Sequence, residues 1–239
     1  MIMTDVFIAS DLHIDWHRDR GAGLIKSFPD ADIGVFAGDL CEHSMLNETL
    51  ARLSDKYPDV IYVSGNHEYY NSDWMNTENI IRVSVTQLGN VHWLNDSRVT
   101  VGGHSFIGST LWFPKTVAGS INKKYLNDFK MINNFEPEVY DRHDASVKYL
   151  EDNIQKDDIV VTHHMPSFKS VPAKFKTSIL NCFFVVKLDH IITKTKSRMW
   201  IHGHTHSCCD YMHGYTHVYC NPHGYPNENP FFNSTIIKL

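Results

Sequence analysis

Long hydrophobic runs are missing from this 239-residue sequence. The longest nearly uninterrupted apolar stretch covers residues 179–186 and contains Asn181, whereas a helix that crosses a bilayer needs about 20 apolar residues. The sequence therefore predicts no membrane-spanning helix and no membrane partner. Low-complexity linkers and internal repeats are also missing, and the nine prolines are scattered along the chain. We expect a single domain over residues 1–239.

The sequence also lacks an excess of basic residues and a regular set of cysteines. It has 22 Lys and Arg against 27 Asp and Glu, a net charge of −5, which disfavours a broad nucleic-acid surface. Its five cysteines form an odd set in which Cys208 and Cys209 are adjacent, a poor framework for disulfides. Residues 1–5 lack the basic segment that opens a signal peptide. Together these absences predict a cytoplasmic protein.

Short apolar runs alternate with helix-like segments in the first 90 residues. The runs at 6–9, 33–37 and 60–63 are rich in β-branched residues and end in small or turn residues, as strands buried on both faces do. Segments 45–56 and 76–88 have the pattern of helices. This alternation is a βαβ rhythm.

Shorter strands follow after residue 90, where we expect a second sheet to begin. Residues 91–94, 98–101 and 105–107 are predicted strands, and Gly102-Gly103 indicates a hairpin between the last two. Residues 112–135 look irregular. The remaining predicted elements are a helix at 137–153 and strands at 158–162, 199–201, 216–220 and 235–238. The predicted fold class is α/β: a four-layer α/β/β/α sandwich of two mixed sheets flanked by helices.

Histidine is what the sequence has in excess, with 16 residues. Several of them lie in polar clusters that directly follow predicted strands. Ligands of open α/β sheets bind beyond the carboxyl ends of the strands, so these clusters should meet at one edge. Asp11, Asp39 and Asn66 are separated by 28 and 27 residues, each about one strand-helix repeat. The clusters are Asp11-Leu12-His13, Gly38-Asp39, Gly65-Asn66-His67-Glu68, His163-His164 and Gly203-His204-Thr205-His206.

The side chains in these clusters are suited to metal ions. Two aspartates, four histidines and one asparagine amide form a mixed set that favours Mn, Fe, Zn, Ni or Co over calcium. Seven side chains are too many for one ion, and with one bridging carboxylate they provide four contacts to each of two ions. Such a site attracts phosphate although the whole chain is acidic. Each Asp or Asn alone could be a turn former or helix cap, but those roles need no histidines.

The five motifs, in this order, resemble those of the calcineurin-like metallophosphoesterases: Asp-x-His, Gly-Asp, Gly-Asn-His-(Asp/Glu), a single strand-end His and Gly-His-x-His. The resemblance covers residues 6–225, and 108–112, 127–130 and 221–225 further resemble small cytosolic members from bacteria and their phages. It implies hydrolysis of a phosphate ester by attack of a metal-bridging hydroxide, with no covalent phosphoenzyme. Two divalent ions are the implied cofactors, and we expect manganese.

The resemblance also implies a role for individual residues. Asp39 would bridge the two ions, and His67 would protonate the leaving oxygen, oriented by Glu68. We expect His163 rather than His164 to bind metal, because His163 directly follows the strand. The first ion would be held by Asp11, His13, Asp39 and His206, and the second by Asp39, Asn66, His163 and His204.

Other residues are expected to support the ligands or contact the substrate. His164 and His202 would lie behind the metal ligands. Trp112 and Lys115 belong to a lysine-rich stretch that could form a lid stacking a base, with solvated surface as the alternative interpretation. Relatives usually carry Arg where this chain has His223, and histidine cannot make the same bidentate contact with phosphate. We therefore expect His223 to affect the choice of substrate.

The expected substrate is a small phosphate ester or nucleotide. We prefer phosphodiesters, because small members of the family often cleave them. Phosphomonoesters, nucleotides and dinucleoside polyphosphates stay open, as does an oligonucleotide, although the acidic balance disfavours long duplex DNA. The alternatives from other classes are a catalytically silent metal-binding scaffold and a mononuclear zinc protein. The sequence does not determine the oligomeric state.

Overall fold

Two large mixed β-sheets form the centre of the computed structural model, which describes residues 3–239. In the first sheet, four strands are parallel and one edge strand is antiparallel. Parallel neighbours need long crossovers, and the chain provides them as helices. The strands of this sheet, in spatial order, are β13 (Ile236–Lys238), β1 (Asp5–Ala9), β2 (Ile33–Ala37), β3 (Asp59–Val63) and β5 (Val91–Trp93).

The second sheet has four parallel strands at its centre and an antiparallel strand at each edge. Its strands, in spatial order, are β11 (Cys209–His213), β12 (Thr216–Cys220), β10 (Met199–Ile201), β9 (Ile159–Thr162), β7 (His104–Ser109) and β6 (Ser97–Val101). A small separate sheet pairs β4 (Ser72–Asp73) with β8 (Ile132–Asn133).

Helices lie on the outer side of each large sheet and in the loops near their carboxyl edge. The α-helices are α1 (Ala22–Ser27), α2 (Leu46–Lys56), α3 (Trp74–Leu88), α4 (Val117–Asn122), α5 (Asp128–Met131), α6 (Glu138–Asn153), α7 (Asn181–Phe184) and α8 (Asp189–Thr195). Short 3-10 turns lie at Ile14–Trp16, His43–Met45, His67–Tyr69, Lys123–Tyr125, Phe168–Ser170 and Ala173–Phe175. Over residues 3–239, no helix combines the length and apolar character needed to cross a membrane.

The two sheets pack face to face because their central strands are apolar on both faces. Val35 and Ile61 of the first sheet pack with Val161 and Ile201 of the second. The other face of the first sheet, which includes Phe36, packs against α1, α2 and α3. The outer face of the second sheet packs against α6 and α8. The predicted four-layer α/β/β/α sandwich is therefore confirmed.

The structure corrects the prediction in three places. Residues 91–94 do not begin the second sheet, because α3 is a crossover helix like α1 and α2 and returns the chain to pair β5 with β3 in parallel. Residues 112–135 are not irregular throughout but contain α4 and α5. Strand β11 is absent from the prediction because it is an edge strand with alternate residues exposed. The predicted hairpin through Gly102-Gly103 does join β6 to β7.

Candidate metal centre

The polar clusters that follow the strands meet at one edge of the sandwich. Asp11, Asp39 and Asn66 follow β1, β2 and β3, His163 follows β9, and His204 lies just beyond β10. Positive φ angles, between 44° and 66°, occur at Asp11, His13, Asp39, His204 and His206. Non-glycine residues adopt this backbone region rarely, and strain of this kind concentrates at functional sites. The sharp turns direct polar side chains from both sheets towards one point.

Four of these side chains form a first group. The ligand atoms of Asp11, His13, Asp39 and His206 all lie within 4.8 Å of one another. His13 Nε2 is 3.0 Å from His206 Nε2, and His206 Nε2 is 3.6 Å from Asp11 Oδ1. Two imidazole nitrogens that face each other beside two carboxylates form a donor set for a divalent cation.

A second group shares Asp39 with the first. The ligand atoms of Asp39, His163 and His204 also lie within 4.8 Å of one another. His163 Nε2 is 3.4 Å from Asp39 Oδ1 and 3.1 Å from His204 Nδ1. Asn66 Oδ1 lies 3.1 Å from the same His163 nitrogen. The structure thus brings together all seven side chains that the sequence indicates as ligands.

Hydrogen bonds behind the cluster set which imidazole nitrogen faces it. His163 Nδ1 lies 2.8 Å from the carbonyl oxygen of Ala37, so Nδ1 donates a proton there and Nε2 is the nitrogen that faces the group. His206 Nδ1 lies 2.7 Å from Glu228 Oε2, which orients His206 in the same way. Carboxylate or carbonyl partners of this kind fix the tautomer of metal-binding histidines.

The ligand chemistry fits a divalent metal at each group. Metal binding needs neutral imidazoles and ionised carboxylates. Burial lowers the pKa of His13 and of His204 well below the usual value, so both rings are neutral. Asp39 is buried, yet its pKa lies well below the usual value because His163 and His67 hold the carboxylate ionised. His163 differs from these two rings: burial lowers its pKa, but the Asp39 carboxylate beside it raises the pKa to about 10. A cation bound between His163 and Asp39 would take the place of that proton.

Asp128 and Tyr70 set the orientation of the Asn66 amide. Asn66 Nδ2 donates to Asp128 Oδ1 at 3.0 Å and to the Tyr70 hydroxyl at 3.2 Å. The Tyr70 hydroxyl donates to the same Asp128 oxygen at 2.7 Å. Asp128 is fully buried, and burial raises its pKa to about 6. Because the NH₂ group of the Asn66 amide is engaged in this way, the amide oxygen points towards His163.

Glu68 does not orient His67, which corrects the role implied for it. Its buried carboxylate accepts backbone N–H groups of Gly65 at 2.8 Å, Asp39 at 3.1 Å and Leu40 at 2.8 Å. Its hydrogen bonds within residues 3–239 include none to the His67 side chain. Glu68 instead ties the turn after β3 to the turn after β2, because one carboxylate receives donors from both.

His164 and His202 lie outside both groups of ligand atoms. His164 packs against the His204 ring, with ring centroids 4.2 Å apart, and its Nδ1 lies 3.1 Å from the Thr110 carbonyl oxygen. His202 Nε2 lies 2.9 Å from Ser170 Oγ. His164 thus supports the His204 ring directly, while His202 is bonded to the loop that follows β9.

His67 lies beside the ligand cluster and is partly exposed. Its ring stacks on Tyr70, with centroids 4.3 Å apart, and meets the His13 ring edge-on at 4.5 Å. Its backbone N–H donates to Asp39 Oδ1 at 2.9 Å. A cavity of about 370 Å³ opens here, lined by His67 and by His204 and His206 of the cluster. Its far walls come from residues 125–128 and 171–184.

Three residues expected at the substrate do not line this cavity. Trp112 is only 2% exposed and packs in an aromatic cluster with Trp74, so its expected place at a substrate is wrong. Lys115 extends over the Tyr140 ring, 5.8 Å from its centroid. His223 packs between His17 and Phe232. Aromatic residues after a strand are as readily buried by a long loop as exposed in a lid, and local sequence does not distinguish the two.

Several residues at the site have no role in the sequence prediction. Asp128 lies in a segment used for the resemblance and begins the short helix α5, and nothing in that local pattern indicates that it reaches Asn66. Glu228 follows the last matched segment and contacts His206 from 22 residues away. Tyr225 stacks on the His13 ring with centroids 4.4 Å apart. These contacts are made between distant parts of the chain, so no spacing in the sequence indicates them.

Known proteins resemble this chain in sequence or in fold. The uncharacterized protein L509 of Acanthamoeba polyphaga mimivirus is 25% identical over 210 residues, covering 76% of this chain and 74% of that protein. A phosphopantetheinyl hydrolase from Mycobacterium tuberculosis has a TM-score of 0.75 at 15% identity, covering 98% of this chain and 95% of that chain. A dimetal phosphatase from Danio rerio has a TM-score of 0.51 at 13% identity, covering 91% and 86%. At such identities the two structures show a common fold.

A match to a family model assigns the chain to a family as well as to a fold. The model described as calcineurin-like phosphoesterase matches residues 4–208. This range includes every side chain of the two ligand groups, from Asp11 to His206. The family implies a dinuclear divalent metal centre, and the two groups joined by Asp39 have the composition for it. Since the match spans most of the chain and all of the cluster, the chain belongs to the calcineurin-like phosphoesterases, which are metal-dependent phosphoester hydrolases.

Proposed function

We propose that this protein is a phosphodiesterase that works with two divalent metal ions. The observation that carries the proposal is the sharing of Asp39 by two groups of ligand atoms. When bound, two such cations lower the pKa of an attacking water and neutralise charge on the phosphate oxygens. The first would be held by Asp11, His13, Asp39 and His206, and the second by Asp39, Asn66, His163 and His204.

His67 is the proposed proton donor to the leaving oxygen. Its ring lies between the ligand His13 and the cavity, and stacking on Tyr70 holds its plane. Within residues 3–239 its side chain makes no hydrogen bond, so a ring nitrogen is free to meet a substrate oxygen. A positioned histidine is the commonest general acid in enzymes.

The charge of the cavity favours a diester over a monoester. No lysine or arginine occurs among the residues that line it in the described chain. The carboxyl side chains of Asp128 and Glu228 line it together with Asp39. A phosphomonoester carries up to two negative charges and a diester carries one, so a cavity without cationic side chains accepts the diester at a smaller electrostatic cost.

The test compares two aryl substrates on the full chain loaded with Mn²⁺. We expect bis-(p-nitrophenyl) phosphate to be hydrolysed with a kcat/KM about tenfold or more above that of p-nitrophenyl phosphate, where tenfold corresponds to about 1.4 kcal/mol. Elemental analysis should find two ions per chain. The same assay with Fe, Zn, Ni and Co ranks the metals against the expected manganese.

Asp39→Asn is the control variant, and it should lose both ions and the activity together. A preference for the monoester would contradict the diesterase and indicate a phosphomonoesterase. Two bound ions without hydrolysis of either substrate would indicate a catalytically silent scaffold. One ion per chain would contradict the dinuclear arrangement and favour a mononuclear protein.

A further inference from the structure

The cavity beside the cluster has two chemically different sides. One side carries the ligands and His67. The other side, here called the apolar wall, comes from the 3-10 turn before α5 and from residues 171–184. The volume of the whole cavity, about 370 Å³, is at the small end of the range for ligand pockets. The apolar wall consists of Tyr125, Leu126, Val171, Pro172, Phe175 and Leu180.

The lysines close to the apolar wall are directed elsewhere or lie at its exposed rim. Lys123 Nζ donates to Glu136 at 2.7 Å, and Lys176 Nζ donates to the Phe168 carbonyl at 2.7 Å. Lys124 and Lys174 are exposed and lie over the rings of Tyr125 and Phe175, at 4.9 Å and 4.8 Å. Among the described residues, the interior of the cavity therefore presents no cationic side chain to a phosphate. Positive charge there would come from the metal ions that the two ligand groups hold.

We infer that the apolar wall binds a neutral, largely apolar or aromatic substituent of an ester that carries a single phosphate group. This rests on the proposed phosphodiesterase function and narrows its substrate. A second phosphate placed along the cavity would lie near Asp128 without an opposing cation. Removing an anion from water without a partner is costly, so nucleoside polyphosphates, dinucleoside polyphosphates and oligonucleotides are poor substrates.

Two exposed phenylalanines provide a matched pair of variants. Phe175 is 46% exposed, lies in the 3-10 turn Ala173–Phe175 and lines the cavity. Phe168 is 39% exposed, lies in the neighbouring 3-10 turn and does not line it. Each ring has a lysine amine 4.8 Å from its centroid. Phe175→Ala and Phe168→Ala therefore remove equal side chains of similar exposure, and only the first changes the wall.

The first measurement is binding of phenylphosphonate and methylphosphonate to the Mn²⁺-loaded full chain by calorimetry. We expect the phenyl compound to bind about five to ten times more tightly than the methyl compound. An aromatic contact, together with the burial of the phenyl ring against the apolar wall, contributes about that much. Phe175→Ala should remove most of this difference, and Phe168→Ala should retain it. Equal binding of the two phosphonates, or equal behaviour of the two variants, would overturn the inference.

The second measurement is hydrolysis of two diesters with the same leaving group, phenyl p-nitrophenyl phosphate and methyl p-nitrophenyl phosphate. The phenyl diester should have the higher kcat/KM through a lower KM, and Phe175→Ala should raise that KM. ATP and diadenosine tetraphosphate are compared under the same conditions. Hydrolysis of ATP or diadenosine tetraphosphate faster than that of the phenyl diester would overturn the inference. If the double variant Lys124→Ala, Lys174→Ala loses this faster hydrolysis, the result favours phosphate binding at the rim.

The outcomes separate this inference from the function on which it rests. If neither phosphonate binds and neither diester is hydrolysed with two ions bound, the proposed function and the inference both fail. If methyl and phenyl compounds are bound and hydrolysed equally, the phosphodiesterase stands and only the inference is overturned.

Discussion

At the scale of single residues, His67 is the proposed proton donor to the leaving group. Stacking on Tyr70 and the backbone bond to Asp39 hold it beside the cluster, yet it does not belong to either group of ligand atoms. A residue placed in this way can be removed without removing the metals. The proposed acid role is thus separable from the proposed metal binding.

We expect His67→Ala to slow hydrolysis of an ester with a poor, alkyl leaving group by roughly 100-fold to 10,000-fold, the usual contribution of general acid catalysis. A p-nitrophenyl leaving group needs little protonation, so its rate should fall much less. Steady-state kinetics and elemental analysis measure both effects, and the variant should retain two ions.

His92→Ala is the matched control, because His92 pairs with Asp59 at the other end of the first sheet. It should leave both rates unchanged. Equal losses for the two leaving groups in His67→Ala, or loss of metal, would contradict the acid role.

Asp128 accepts a hydrogen bond from Asn66 and lies outside both groups of ligand atoms. We expect Asp128→Ala to weaken binding of the second ion by roughly 10-fold to 100-fold, as removal of a residue behind a metal ligand does, because the Asn66 amide is no longer held with its oxygen towards His163. Metal titration by calorimetry should show one tight and one weakened site.

Asp128→Asn should restore part of the affinity, since its amide oxygen can still accept from Asn66. Asp144→Ala removes an exposed carboxylate on α6 and should change neither site. An unchanged second site in Asp128→Ala would show that Asn66 is oriented without it.

At the scale of elements, the strand ends are held to one another by backbone bonds and close packing. The Gly203 N–H donates to the His163 carbonyl at 2.9 Å, and the His204 N–H donates to Asp11 Oδ1 at 2.9 Å. A Cβ at Gly203 would lie 2.7 Å from the Ala37 carbonyl oxygen and 2.9 Å from Asp11 Oδ2. The turn after β10 therefore needs glycine to approach the ends of β1 and β2.

We expect Gly203→Ala to destabilise the fold by about 1–3 kcal/mol through overpacking and to disturb both ligand groups. Thermal unfolding and elemental analysis of the variant measure the two effects. Metal content should fall together with stability, because the displaced turn carries His204 and His206.

Gly214→Ala controls for stability loss alone. Gly214 has a φ of +62° and nothing within 4 Å of an added Cβ, so alanine there costs about 1–2 kcal/mol of backbone strain in a turn far from the cluster. It should retain both ions. Full metal content in Gly203→Ala would contradict the importance of this close approach.

At the scale of the whole molecule, the proposed metal ligands join the two sheets. Asp11, Asp39 and Asn66 come from the first sheet, whereas His163 and His204 come from the second. An ion held by both would connect the two halves of the sandwich at an edge where the apolar core between the sheets gives way to buried polar side chains. Metal binding should therefore also stabilise the fold.

We expect chelation to lower the melting temperature. Free metal at 100 times its dissociation constant contributes about 2.7 kcal/mol per site, and for a chain of this size each kcal/mol corresponds to about 2–4 °C. The melting temperature should thus fall by roughly 5–10 °C for each ion removed. Differential scanning fluorimetry with and without a chelator measures it.

Asp39→Asn provides the control for that experiment, since it replaces the carboxylate shared by both groups with a neutral amide. Its melting temperature should be independent of metal. A chelator effect of the same size in this variant would show that the stabilising metal binds elsewhere.

Much of the site could be predicted because its signals are local. A buried strand such as β2 is recognised in the sequence as a short apolar run, and a polar residue such as Asp39 stands out directly after it. Both features are visible within a few neighbouring residues. The resemblance in motif order then led to the family, which the match over residues 4–208 confirms. The proposed roles of the individual ligands and of His67 stay predictions.

The amino-acid sequence by itself determined the buried strands, the kinds of ligand at the strand ends and the family, because each depends on neighbouring residues and their order. Only the tertiary structure decided that β5 joins the first sheet, that Trp112 is buried, and that Asp128 and Glu228 reach Asn66 and His206. These outcomes depend on contacts between segments up to 62 residues apart, which no local pattern encodes. The apolar wall likewise exists only where two distant loops meet over the cluster.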